Sequence, residues 1–94
     1  MKALTSRYQA ASKTPLLIGS DEEGGTVTRI SSILDTPFQS PMTLYQEGGM
    51  KAILSDTRKK AEVLKSVGIN AGLFPVADLA SNPSAFIYDR TIGQ

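Results

Sequence analysis

The chain has 94 residues, 40% of them hydrophobic and 20% charged, with a formal net charge of +1. That length holds one small domain and not two, and a nearly neutral chain without a basic stripe carries no electrostatic footprint for nucleic acid. Cysteine and histidine are both absent, which excludes disulfides, thiolate nucleophiles, Cys-ligated zinc and every arrangement built on an imidazole.

In chain order, Met1-Lys2 leads into Ala-Leu-Thr-Ser-Arg without the apolar core of a signal peptide. No apolar run nears the ~18–20 residues that cross a bilayer, so a cytoplasmic chain with no membrane partner is expected. Residues 2–13 read as a short helix with Leu4, Tyr8 and Ala11 along one face. Lys13 suits the end of the helix dipole, and Pro15 stops the helix. Leu16 to Ile18 is a continuous apolar run, the pattern of a strand (16–20) buried on both faces of a parallel sheet. Polarity then reverses. Asp21, Glu22 and Glu23 crowd three carboxylates at the strand's end, and Gly24-Gly25 permits a turn with φ > 0 or close approach of a ligand. Val27 to Leu34 reads as irregular with a helical turn, and Pro37 and Pro41 bracket a loop.

Thr43-Leu-Tyr-Gln46 has capping-box spacing, which places a helix start there. Gly48-Gly49 weakens that helix by ~1 kcal/mol per glycine relative to alanine, so a break is expected before Met50. Beyond it, Met50, Ile53, Leu54, Thr57, Ala61, Leu64 and Val67 form an apolar face at helical spacing, with Asp56, Arg58, Lys59, Lys60, Glu62 and Lys65 mostly off it. Gly68 fits the C′ position, directly before a strand over Ile69–Val76. Ala77 to Gln94 reads as a long loop. Strands alternating with amphipathic helices predict an α/β fold with parallel strands joined by a crossover helix.

Two blocks of this chain resemble a known family. Asp21-Glu-Glu-Gly-Gly-Thr-Val-Thr-Arg29 is similar to the D-[QE]-E-G-G-x-V-x-R signature of glycoside hydrolase family 3, in its β-N-acetylhexosaminidase-like branch. The second block comprises Gly68-Ile69-Asn70, Phe74-Pro75-Val76-Ala77-Asp78 and Asn82-Pro83 through Asp89-Arg90-Thr91-Ile92-Gly93. It resembles the family's G-I-N-x-x-x-x-P-V-x-D…N-P…I-x-D-R-[ST]-x-G. The resemblance runs from about Pro15 to Gly93. It implies that residues 1–94 are a single segment of the family's (β/α)₈ TIM barrel, whose complete form needs roughly 250 residues. It also implies a parent that hydrolyses terminal β-N-acetylglucosamine, or alternatively a β-glucoside, with retention. Ile87-Tyr-Asp-Arg-Thr-Ile-Gly resembles the hexosaminidase form of that loop.

The same resemblance assigns roles. Asp21 matches the aspartate that grips sugar hydroxyls, whereas the pattern alone favours a turn residue or helix N-cap. Arg29 and Arg90 match substrate-pocket arginines; without the motif each is an ordinary exposed or salt-bridged arginine. Glu23 is expected to brace the loop, position 22 to be solvated, and Gly24 and Gly25 to serve the backbone. Asp78 is expected to orient Arg90 or Arg29, and Asp89 to brace its own loop. An Asp21/Asp78/Asp89 metal site is set aside because a hard-cation loop spaces its oxygen ligands differently. No cofactor or metal is expected.

The family's Lys-His element, general acid/base and aspartate nucleophile have no counterpart in these residues, and adjacent Glu22 and Glu23 point opposite ways on an extended backbone. No catalytic residue is therefore assigned. The expected partners are a carbohydrate and either the remainder of the barrel or a second copy. A non-catalytic carbohydrate-binding or interaction module derived from the same fold is the alternative.

Overall fold

A computed structural model describes residues 1–93 as a mixed helix-and-strand chain around a small parallel sheet. Helix α1 spans Lys2–Ala11, strand β1 Gly19–Ser20, helix α2 Pro41–Ser66 and strand β2 Ala71–Gly72. Two 3₁₀ turns complete it, at Ser31–Ile33 and Tyr88–Arg90. β1 and β2 pair in parallel, Gly19 opposite Ala71 and Ser20 opposite Gly72. Among the described residues no helix is long and apolar enough to cross a membrane.

The ladder is much shorter than the expected strands, and side chains explain why. Ile18 O accepts from the amides of Asn70 and Ala71, and Ser20 O from Leu73. Ahead of that, side-chain amides replace the ladder. Asn70 Oδ1 accepts from Ile18 N at 2.8 Å while its Nδ2 donates to Leu16 O, and Gln9 makes the matching pair of bonds with Leu16 N and O. The backbone of Leu16 and Ile18 is therefore paired, but the run is not buried on both faces: Leu17 is 83% exposed.

α1 ends at Ala11, and its expected apolar face is wrong. Leu4, Tyr8 and Ala11 are exposed, and the buried contact is Thr5, whose hydroxyl donates to Val67 O at the end of α2 (2.7 Å). Gly68, in the left-handed region at φ 82°, admits that contact because a Cβ there would meet the Thr5 side chain.

α2 begins three residues earlier than the capping box suggested. Ser40 is the N-cap, accepting from Thr43 N at 3.2 Å, and Pro41 sits at N1, where its missing N–H costs nothing. At Gly49 (φ 61°, ψ −152°) the helix breaks, as the glycine pair indicates.

Beyond the break, the buried face is rotated from the one the apolar residues mark. Ile53, Asp56, Lys60 and Leu64 face inward, while Met50, Leu54 and Ala61 are exposed. Leu64 joins Ile30 and Ile69 in the core, with Ile18, Val63, Val67 and Phe74 packed around them. Truncating Leu64 to alanine at such a site costs about 2–5 kcal/mol.

The final stretch is more ordered than a long loop. Asn82 Oδ1 accepts from both Ser84 N and Oγ, an Asx-type turn around Pro83. Tyr88–Arg90 then forms a turn of 3₁₀ helix closed by the buried Thr91, whose hydroxyl donates to Tyr88 O and accepts from Gly93 N.

Candidate functional site

The site grows out of the loop that leaves β1. Asp21 follows the strand's last residue directly and is half-exposed. Glu22 turns inward and is fully buried, which corrects the expectation of a solvated side chain. Its carboxylate accepts from the amides of Arg29 (3.1 Å), Ile30 (2.9 Å) and Ser31 (3.1 Å), and from the Ser31 hydroxyl. These amides are the unpaired donors at the start of the 3₁₀ turn, where a negative charge is favoured. Burial alone would push the Glu22 carboxyl up; the bonds from Ser31, Ile30 and Arg29 outweigh it and hold the group below the usual carboxylate range.

Glu23 points the other way, as alternation along an extended chain requires. Its two oxygens accept from Arg90 Nε (2.9 Å) and Nη2 (2.8 Å), a two-point fork that the planar guanidinium matches. The fork pushes the Arg90 guanidinium above its ordinary value; desolvation opposes this, and the charges of Glu23, Asp78 and Asp21 add to it. Asp21 lies just past the C-terminal end of β1, the edge at which α/β sheets carry their ligands, and Glu23 two residues on ties Arg90 to the same loop.

Gly24 and Gly25 make this loop possible. Gly24 exchanges both backbone bonds with Val27 across Gly25-Thr26, and Gly25 N donates to Phe38 O at 2.9 Å. At φ 98° and 63°, Gly24 and Gly25 adopt conformations that side chains disfavour. A Cβ on Gly24 would collide with Gln39 O, and one on Gly25 would lie 2.8 Å from Ser40 Cβ.

Two further sequence candidates lie at the surface. Arg29 is exposed, and its guanidinium donates to Thr28 O at 2.8 Å. Asp89 is exposed in the 3₁₀ turn beside Arg90. Among the described residues no cluster of three or more acidic side chains is arranged to hold a metal ion.

The sequence profile of the glycosyl hydrolase family 3 N terminal domain matches residues 1–94. The chain belongs to that family. It is similar to Beta-hexosaminidase A of Pseudoalteromonas piscicida, 33% identical over 83 residues, which is 85% of this chain and 14% of that protein. It is also similar to Beta-hexosaminidase LpqI of Mycobacterium tuberculosis (strain ATCC 25618 / H37Rv), 28% identical over 92 residues, covering 97% of this chain and 24% of that protein. The chain therefore spans a quarter or less of the length of these curated relatives. No solved structure gives a significant match.

One member of the site in this family 3 chain escaped the motif reading altogether. Lys60 is 3% exposed, although its helical position groups it with the polar face. Its ammonium donates to Glu23 O at 2.7 Å and pairs with Asp56 Oδ2 at 2.6 Å. Lysine at i+4 from Asp56 was the only local signal of the pair; its tertiary partner lies 37 positions away.

Proposed function

We propose that this family 3 chain forms part of the sugar-binding wall of a retaining glycoside hydrolase barrel acting on terminal β-N-acetylglucosamine. In this reading residues 1–94 are one segment of the barrel. Asp21 accepts hydrogen bonds from two sugar hydroxyls, Arg90 donates to the sugar from the side of its fork that Glu23 leaves open, and Arg29 closes over the ligand from its exposed position. Asp78 adds to the field on Arg90, and Asp89 braces the turn that carries it. One observation carries the reading: half-buried Asp21, at the end of a parallel strand, opens the loop in which Glu23 holds Arg90 in a two-point fork. The similarity to beta-hexosaminidases supports the choice of sugar.

The nucleophile and the acid/base are assigned to no residue of this segment. A retaining glycosidase sets two carboxyl groups about 5–5.5 Å apart across the scissile bond. Here Glu22 is bound up with backbone amides and Glu23 with Arg90. The test is a titration of the isotope-labelled chain with N-acetylglucosamine, followed by amide chemical shifts. Shifts centred on Asp21, Gly24 and Arg90 that disappear in Asp21→Ala are expected, with no cleavage of aryl β-N-acetylglucosaminides. Absence of sugar-dependent shifts, or turnover that copurifies with the chain, would overturn it.

A further inference from the structure

We infer that Lys60 is a positioning residue for the candidate site, fixing the Glu23–Gly24 peptide and, through Glu23, the aim of Arg90. Its functional meaning rests on the sugar-binding reading above; its geometry does not.

The ammonium has three donors and no acceptor. One donor meets Asp56 and one meets Glu23 O. The group also lies over the rings of Phe38 and Phe74, 5.7 and 5.4 Å from their centroids, within the range of a cation–π contact. This is a complete shell for a buried cation. An ion pair of this kind adds little net stability over apolar side chains of the same volume. The stability of α2 therefore does not account for Lys60. What an apolar residue cannot supply is the bond to Glu23 O.

That bond matters because of where it falls. The Glu23–Gly24 peptide is held at both ends, its carbonyl by Lys60 and its N–H by Val27 O at 3.1 Å. Gly24 lies against Gln39, and a Cβ there would also come 3.4 Å from Lys60 Nζ, so the ammonium packs directly on the turn. With Gly24 seated on Gln39 and Val27, the held peptide fixes ψ of Glu23 and so the direction in which its side chain leaves the turn toward the guanidinium of Arg90. A residue on the buried face of α2 thus sets how an arginine in the second 3₁₀ turn is held by the loop that follows β1.

The experiment compares two variants of the labelled 94-residue chain. Asp56→Asn/Lys60→Met removes both charges without leaving a lone buried carboxylate; Asp56→Asn alone keeps the Lys60 bond to Glu23. The double variant is expected to stay folded, with the methyl resonances of Leu64 and Ile69 unchanged. Its Gly24 amide and Arg90 Nε–H resonances should shift and broaden, and its affinity for N-acetylglucosamine should fall roughly tenfold, the scale of one charge-assisted hydrogen bond. Asp56→Asn should resemble the parent chain in both. Unchanged Gly24 and Arg90 resonances in a folded double variant would overturn the inference. So would a double variant that fails to fold, because Lys60 would then support the core and not the loop. A parent chain that shows no sugar-dependent shifts would overturn the sugar reading alone, leaving the effect of Lys60 on Arg90 to be decided by the same resonances.

Discussion

Arg90 and Glu23 meet in a two-point fork across 67 positions of sequence, joining the second 3₁₀ turn to the loop that follows β1. A fork fixes the plane of the guanidinium as well as its position, which a single-point contact does not. Arg90→Lys keeps the charge and loses that plane. Affinity for N-acetylglucosamine is expected to fall about tenfold in this variant and in Glu23→Gln. Combining the two should add little, since both remove the same contact. Calorimetric titration of the three variants checks this; fully additive losses would mean that the residues act separately.

Glu22 governs the acid side of stability. Its folded carboxyl is held below the ordinary value, so its contribution is fully present above the unfolded value of about 4.3 and is lost as pH falls through the lower folded value. Glu22→Gln should flatten the loss of stability in that window. It should also lower stability at neutral pH by about 1–3 kcal/mol, because three backbone amides, two of them buried, lose a charged acceptor. Urea unfolding from about pH 2.5 to 6.5, a range that brackets the unfolded value, reads both effects. Parallel pH profiles for the two proteins would contradict this role.

Two glycines with positive φ separate backbone strain from steric conflict. A Cβ on Gly49 would meet nothing within 4 Å, whereas one on Gly24 would strike the backbone at Gln39. Gly49→Ala should cost about 1–3 kcal/mol from conformation alone. Gly24→Ala should cost clearly more, and should also displace the Arg90 resonances. Thermal unfolding of both variants gives the comparison. Equal losses would show that the 38–40 segment yields to the loop.

The chain is open in shape. Its radius of gyration is 14.9 Å, against about 12 Å for a compact domain of this length. It exposes 6432 Å², where a compact protein of this mass exposes about 5,200 Å². Leu17, Leu79 and Phe86 are 83%, 83% and 90% exposed, and both outer edges of the two-stranded sheet are unpaired among the described residues. Edges of this kind invite pairing. Self-association is expected in sedimentation equilibrium, and under the barrel reading proposed above it should fall when the rest of such a barrel is supplied in trans. A monomer at high concentration with a cooperative melt would favour an autonomous binding module.

The order of elements, the parallel pairing, the break at Gly49, the terminating Gly68 and the position of Asp21 at a strand's end were all legible in the residues alone. Each follows from local chemistry: a glycine's freedom, a proline's missing donor, or an apolar run that turns abruptly acidic. Which charges are buried was settled by the folded arrangement. Glu22 lies inside because three amides of a distant turn receive it, and Lys60 because Asp56, the Glu23 carbonyl and two aromatic rings surround its ammonium. Helical periodicity marks apolar residues and assigns every charge to solvent, so it turned the inner face of α2 toward Leu54 and Ala61, and away from Lys60. A charge can be buried once its partners are in place, and some of those partners, such as the Glu23 carbonyl 37 positions from Lys60, are brought to it only by folding.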